Sequence, residues 1–106
     1  MNYRYMRVMV FFDLPTLTDQ NRRDYRHFRK YLVKNGFIML QESVYGKLAQ
    51  NSTVAEAIVE NIYKNRPGDG LVQVLRVTEN QYSKMDFIVG ERKSGILDTD
   101  QRLVIL

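Results

Sequence analysis

Cysteine is absent from the 106 residues and histidine occurs once. Disulfides, thiolate metal sites and a cysteine nucleophile are therefore excluded, as is a histidine-rich metal centre unless subunits share one. No run approaches the roughly 18 apolar residues a membrane span needs. The opening residues Met1, Asn2, Tyr3, Arg4, Tyr5, Met6 and Arg7 keep charge where a secretory leader would be apolar, and no small-residue cleavage site follows. The expectation is a cytoplasmic protein with no membrane partner. Linkers, repeats and low-complexity tracts are also missing, which leaves a single domain over residues 1–106.

What is present suits a packed core. Hydrophobic residues make up 44% and charged residues 26%, within the globular range and outside the disordered one. The net charge of +4 is unevenly placed. Residues 1–36 hold eight basic residues against three acidic ones, and the remaining seventy hold eight against nine. A localised positive charge speaks to partners rather than to fold, and nucleic acid leads the candidate polyanions.

Periodicity orders the chain as β, α, β(β), α, β and a tail. Residues 5–13 alternate and become apolar on both faces, as a central strand does, before Leu14 and Pro15 stop them. Residues 18–35 read as a helix capped by Thr18 or Asp19, with Gly36 past its end. Residues 37–48 are extended with a break near Glu42 and Ser43. Asn51, Ser52 and Thr53 open a second helix reaching about residue 65. Pro67, Gly68, Asp69 and Gly70 mark a turn, and 71–77 is a β-branched strand. Thr78 and Gln81 are spaced as the capping box of a short helix. Phe87, Ile88 and Val89 read as a short strand, and 102–106 as another. This is the α+β ferredoxin-like βαββαβ plan, an antiparallel sheet with two helices on one face. About 1–80 forms the core. The tail, about 86–106, is too apolar to leave in water and suggests pairing across a homodimer.

Three sets of residues carry chemical interest. At about 100° per residue, Tyr25, Phe28 and Leu32 group on one side of the first helix. Arg22, Arg23, Arg26, Arg29, Lys30 and Lys34 fill a different arc, spread over roughly 18 Å at about 1.5 Å per residue. That length and the predominance of arginine suit a phosphate backbone, though a merely solvated charged face has the same pattern. Asp13 ends the first strand, either as a turn-forming residue or as a ligand. One carboxylate does not make a Mg²⁺ site; two copies meeting at a dimer axis would. Ser43 lies beside a strand with no patterned general base, His27 being on the first helix, so a serine–histidine pair has little to support it.

Met9 to Pro15 (Met-Val-Phe-Phe-Asp-Leu-Pro), the helical run from Tyr25 to Leu32 and the block from Gly36 to Tyr45 together resemble the CRISPR-associated protein two family. That is the small adaptation subunit found beside the CRISPR integrase, and the opening Tyr3-Arg4-Tyr5-Met6-Arg7 is most similar to variants that accompany a single large effector nuclease. The resemblance implies a ferredoxin-like homodimer whose C-terminal strands extend the partner's sheet. It implies spacer acquisition, with the dimer bridging two dimers of the integrase subunit and carrying double-stranded protospacer DNA on its basic surface. It also implies a possible Mg²⁺-dependent endoribonuclease or DNase, and an RNase toxin family shares the fold, so RNA is a further candidate partner. By this resemblance Asp13 is the catalytic and metal-binding carboxylate shared across the dimer axis. Ser43 and Tyr45 are structural, and Arg22, Arg23 and Arg26 match the family's duplex-contacting basic residues; the cationic face of the helix adds Arg29 and Lys30 to the expected nucleic-acid contacts. The loop 15–21 lacks early arginines that some members carry.

Overall fold

The computed structural model describes residues 4–91. Its elements are β1 (Met6–Asp13), α1 (Asp19–Lys34), β2 (Ile38–Gln41), β3 (Val44–Ala49), α2 (Ser52–Lys64), β4 (Leu71–Thr78) and α3 (Glu79–Ser83). The strands form one sheet in the order β2-β3-β1-β4, every neighbouring pair antiparallel. β1 and β2 are thus separated by β3, and β3 and β4 by β1, which is the split βαβ arrangement expected of a ferredoxin-like chain. β1 is central, and the alternation of its sequence shows why. Val8, Val10 and Phe12 are buried against the helices, while Arg7, Met9, Phe11 and Asp13 point to the other face.

Local signals place the helices. The Thr18 hydroxyl accepts from the Asn21 amide at 3.0 Å, and the Asn21 side chain accepts from the Thr18 amide at 3.2 Å, closing a capping box at the start of α1. At its end, Gly36 at φ 88° donates to the Val33 carbonyl and Phe37 to the Leu32 carbonyl, a Schellman termination that turns the chain into β2. Asn51 caps α2, and Thr78 with Gln81 caps α3 as its spacing predicts. The break expected near Glu42 and Ser43 is the turn of a β2–β3 hairpin, accompanied by a bulge at Leu40.

The core lies between the sheet and α1 and α2, with Phe28 and Leu32 from α1 and Ala55 and Ile62 from α2. Phe12 is its aromatic hub, edge-on to Phe28 at 5.4 Å and to Tyr25 at 6.1 Å, and 5.6 Å from Tyr45. The same packing fixes the strand end that carries Asp13. Gly70 closes that end at φ 97°; a Cβ there would lie 2.8 Å from Leu14 Cδ2 and 2.9 Å from the Asp13 carbonyl. Gly70→Ala is therefore expected to destabilise the fold by about 1–3 kcal/mol. Thermal denaturation checks this, with about 4–8 °C lost per kcal/mol for a domain of this size.

One expected element is corrected. Phe87, Ile88 and Val89 form no strand; Ile88 and Val89 are almost fully exposed, and among the described residues no strand pairs with them. The strand expected at 102–106 lies outside the described residues.

Candidate nucleic-acid interface and the carboxylate at the strand end

The outer side of α1 presents Arg22, Arg23, Arg26, Arg29, Lys30 and Lys34 to solvent, while Phe28 and Leu32 of the same helix are buried. The six cations are not equivalent. The Arg22 guanidinium is held by the Asp19 carboxylate and by the carbonyls of Thr16 and Leu17, so it braces the helix start. Arg23 donates to the Gln20 side chain at 2.9 Å. Arg29 lies where the cationic arc meets the core, and its Nε donates to the Tyr45 hydroxyl at 3.0 Å. That bond, followed by the charge interactions with Tyr45, Tyr25 and Glu42, holds the Arg29 guanidinium above its usual pKa. Arg26, Lys30 and Lys34 have no ion pair among the described residues.

Arg7, also in the basic N-terminal third, is withdrawn from such a role. Its guanidinium grips Glu79 of α3 through Nε at 2.6 Å and Nη2 at 3.2 Å and lies 4.5 Å from the Tyr82 ring centre. The Glu79 hydrogen bond raises its pKa despite partial burial. Arg7 thereby ties α3 across the start of β1.

Asp13 is exposed at the end of β1, in register with Leu71 of β4. It opens onto a depression of about 210 Å³ lined by Phe11, Phe12, Asp13, Ser43, Val44, Leu71 and Gln73. The Ser43 carbonyl accepts from the Phe12 amide at 3.1 Å, so turn and strand end are stitched together beside the carboxylate. The fold thus brings Asp13 and Ser43, thirty residues apart, to one place. It does not bring Tyr45 there: the ring of Tyr45 is on the helix side of β3, fully buried. Sequence reasoning missed Gln73, which faces the same depression; its partnership with Phe11 across β1 and β4 is a matter of register, which no local pattern encodes. Among the described residues no three His, Asp or Glu side chains gather into a metal cage. The oxygens of Asp13, Ser43 and Gln73 are the hard donors that Mg²⁺ favours, but one carboxylate does not complete its site.

Two further surfaces complete the picture. The sheet face opposite the core carries Ile38, Leu48, Leu71 and Leu75, each about half exposed. Beside β4, an edge strand among the described residues, a cavity of about 220 Å³ has a floor of Val59, Ile62, Val72 and Val74 and is flanked by Tyr63, Arg66 and Arg76.

The profile of the family described as CRISPR associated protein Cas2 matches residues 6–85, every strand and both long helices included. The chain belongs to the Cas2 family. It is 59% identical over 101 residues to the CRISPR-associated endoribonuclease Cas2 of Treponema denticola, covering 95% of this chain and all of that one. It is 44% identical to the Streptococcus mutans protein of the same name, over 95% and 93% of the two chains. The Lacticaseibacillus rhamnosus Cas2 is 42% identical over 95% of this chain and the whole of its own. Among the described residues of this Cas2 chain, no helix is long and apolar enough to cross a membrane.

Proposed function

We propose that the chain is a CRISPR adaptation subunit: a homodimer that holds protospacer double-stranded DNA and bridges dimers of the integrase subunit. The observation that carries this reading is the row of exposed cations on α1, backed by a buried hydrophobic face that fixes its orientation. Such a row binds phosphate without reading base edges, as a protein handling protospacers of any sequence requires. Dimerisation is supported by the open, half-apolar sheet face, because an isologous contact would bury Ile38, Leu48, Leu71 and Leu75 of both copies together. The edge of β4 that is open among the described residues, with its apolar cavity flanked by two arginines, suits a strand added from the apolar and acidic tail of the other copy. The reading is tested by binding of a labelled duplex and by spacer acquisition in cells that supply the integrase. A chain that binds no duplex in dilute salt overturns it.

A second reading, Mg²⁺-dependent phosphodiester cleavage, is favoured by the depression that joins Asp13 to Ser43 and by the endoribonuclease name of the relatives. Asp13 from two copies would hold the ion. A bound Mg²⁺ neutralises phosphate charge and activates water. The residues of the chain would serve it by fixing the carboxylate on a rigid strand end, through the Phe12–Ser43 bond and the packing of Phe12. Asp13→Ala is expected to reduce cleavage of RNA or DNA by at least about a hundredfold while leaving duplex retention and acquisition intact. Acquisition lost in a folded, dimeric Asp13→Ala protein would instead put the carboxylate at the centre of the adaptation role.

A further inference from the structure

Tyr45 is the largest of the fully buried side chains, packed on the helix side of β3 against Phe12. A buried phenol needs a hydrogen-bond partner, and here the partner is a surface arginine. The bond, 3.0 Å from Arg29 Nε to the Tyr45 oxygen, engages only one of the three guanidinium nitrogens. The other two carry four N–H donors between them, and Arg29 as a residue is exposed on the cationic side of α1. The remaining cations of that face differ. Arg22 is paired with Asp19, Arg23 is held at 2.9 Å by Gln20, itself an exposed side chain of the same helix rather than a buried one, and Arg26, Lys30 and Lys34 have no such anchor among the described residues.

We propose that Tyr45 is a positioning residue for phosphodiester binding, its buried hydroxyl holding Arg29 as a pre-organised contact to the duplex backbone. The proposal rests on the reading of α1 as the DNA-binding face and assigns one cation of that face a distinct part. A free arginine must give up rotamer freedom when it clamps a phosphate, whereas one fixed by a neutral acceptor has lost that freedom already and keeps its full charge. A carboxylate anchor would have removed the charge together with the freedom, as happens at Arg22.

The test is a set of salt titrations with the full chain and a fluorescent duplex. Tyr45→Phe keeps the ring and every charge. It is expected to weaken binding roughly three- to tenfold through lost pre-organisation alone. The slope of log K against log salt should not change, since the count of phosphates neutralised is the same. Arg29→Ala should weaken binding further and flatten the slope by about 0.9 per subunit, about 1.8 for the homodimer. Adding Tyr45→Phe to Arg29→Ala should change nothing more. Arg29→Lys, which leaves the core untouched, should match Tyr45→Phe at unchanged slope, so the proposal stays open to refutation even if Tyr45→Phe fails to fold. Binding of folded Tyr45→Phe within about twofold of the parent, or a loss that persists undiminished beside Arg29→Ala, overturns the proposal and leaves the bond a purely structural one. A parent protein that ignores the duplex in dilute salt overturns the scaffold reading and this proposal together. Binding by the parent with uncoupled variants overturns this proposal alone.

Discussion

A protein in which Arg23, Arg26 and Lys30 are all alanine is expected to keep its fold and lose most of its affinity for duplex DNA. The three side chains are exposed on α1, and alanine is the better helix former, so the core against Phe28 and Leu32 is undisturbed. Each lost phosphate contact should flatten the slope of log K against log salt by about 0.9, so the three positions, present twice in the homodimer, should flatten it by about 5.4. Carried over the decade from 1 M to 0.1 M salt, that is a loss of about five orders of magnitude at the lower concentration. Arg22→Ala alone should do little to the slope, because its charge is already met by Asp19 and two carbonyls; its effect should appear in helix stability instead. Fluorescence anisotropy across a salt series measures both. A triple variant with an unchanged slope would move the binding surface off α1.

The second large effect is expected from Leu75→Asp. Leu75 lies mid-strand on the open sheet face, in register with Met9, and is 51% exposed in the single chain, so a carboxylate there costs the folded subunit little. In a two-fold contact built on this face the substitution counts twice, burying two unpaired carboxylates at about 3–5 kcal/mol each. The dimer should dissociate at micromolar concentration. A single subunit then offers half the cationic surface, and the salt slope should fall to about half that of the parent protein. Sedimentation and anisotropy on the same sample separate the outcomes. A Leu75→Asp protein that remains dimeric would exclude the open face as the contact.

Much of this was legible in the chain because the determinants are local. The alternation of Val8, Val10 and Phe12 marks the buried face of β1, and its two apolar faces near the end mark a central strand. The stripe of Phe28 and Leu32 opposite the arginines is enough by itself to say which side of α1 meets the sheet. Thr78 and Gln81 announce α3 by their spacing. What stayed hidden depends on how elements meet. The bond from Arg29 to Tyr45 spans sixteen residues and two elements, and the grip of Arg7 on Glu79 spans seventy-two. Asp13 and Ser43 meet because β1 and β3 pair in one register rather than another. Phe87, Ile88 and Val89 show the opposite failure: β propensity alone does not make a strand.

The mass of the purified protein, measured by analytical ultracentrifugation with and without a labelled duplex, bears most directly on the idea of a paired, phosphate-binding scaffold. The account predicts a particle of two 12.5 kDa chains that co-sediments with the duplex in dilute salt and releases it as salt rises. A 12.5 kDa species at micromolar concentration, or a dimer that leaves the duplex free in dilute salt, would contradict it.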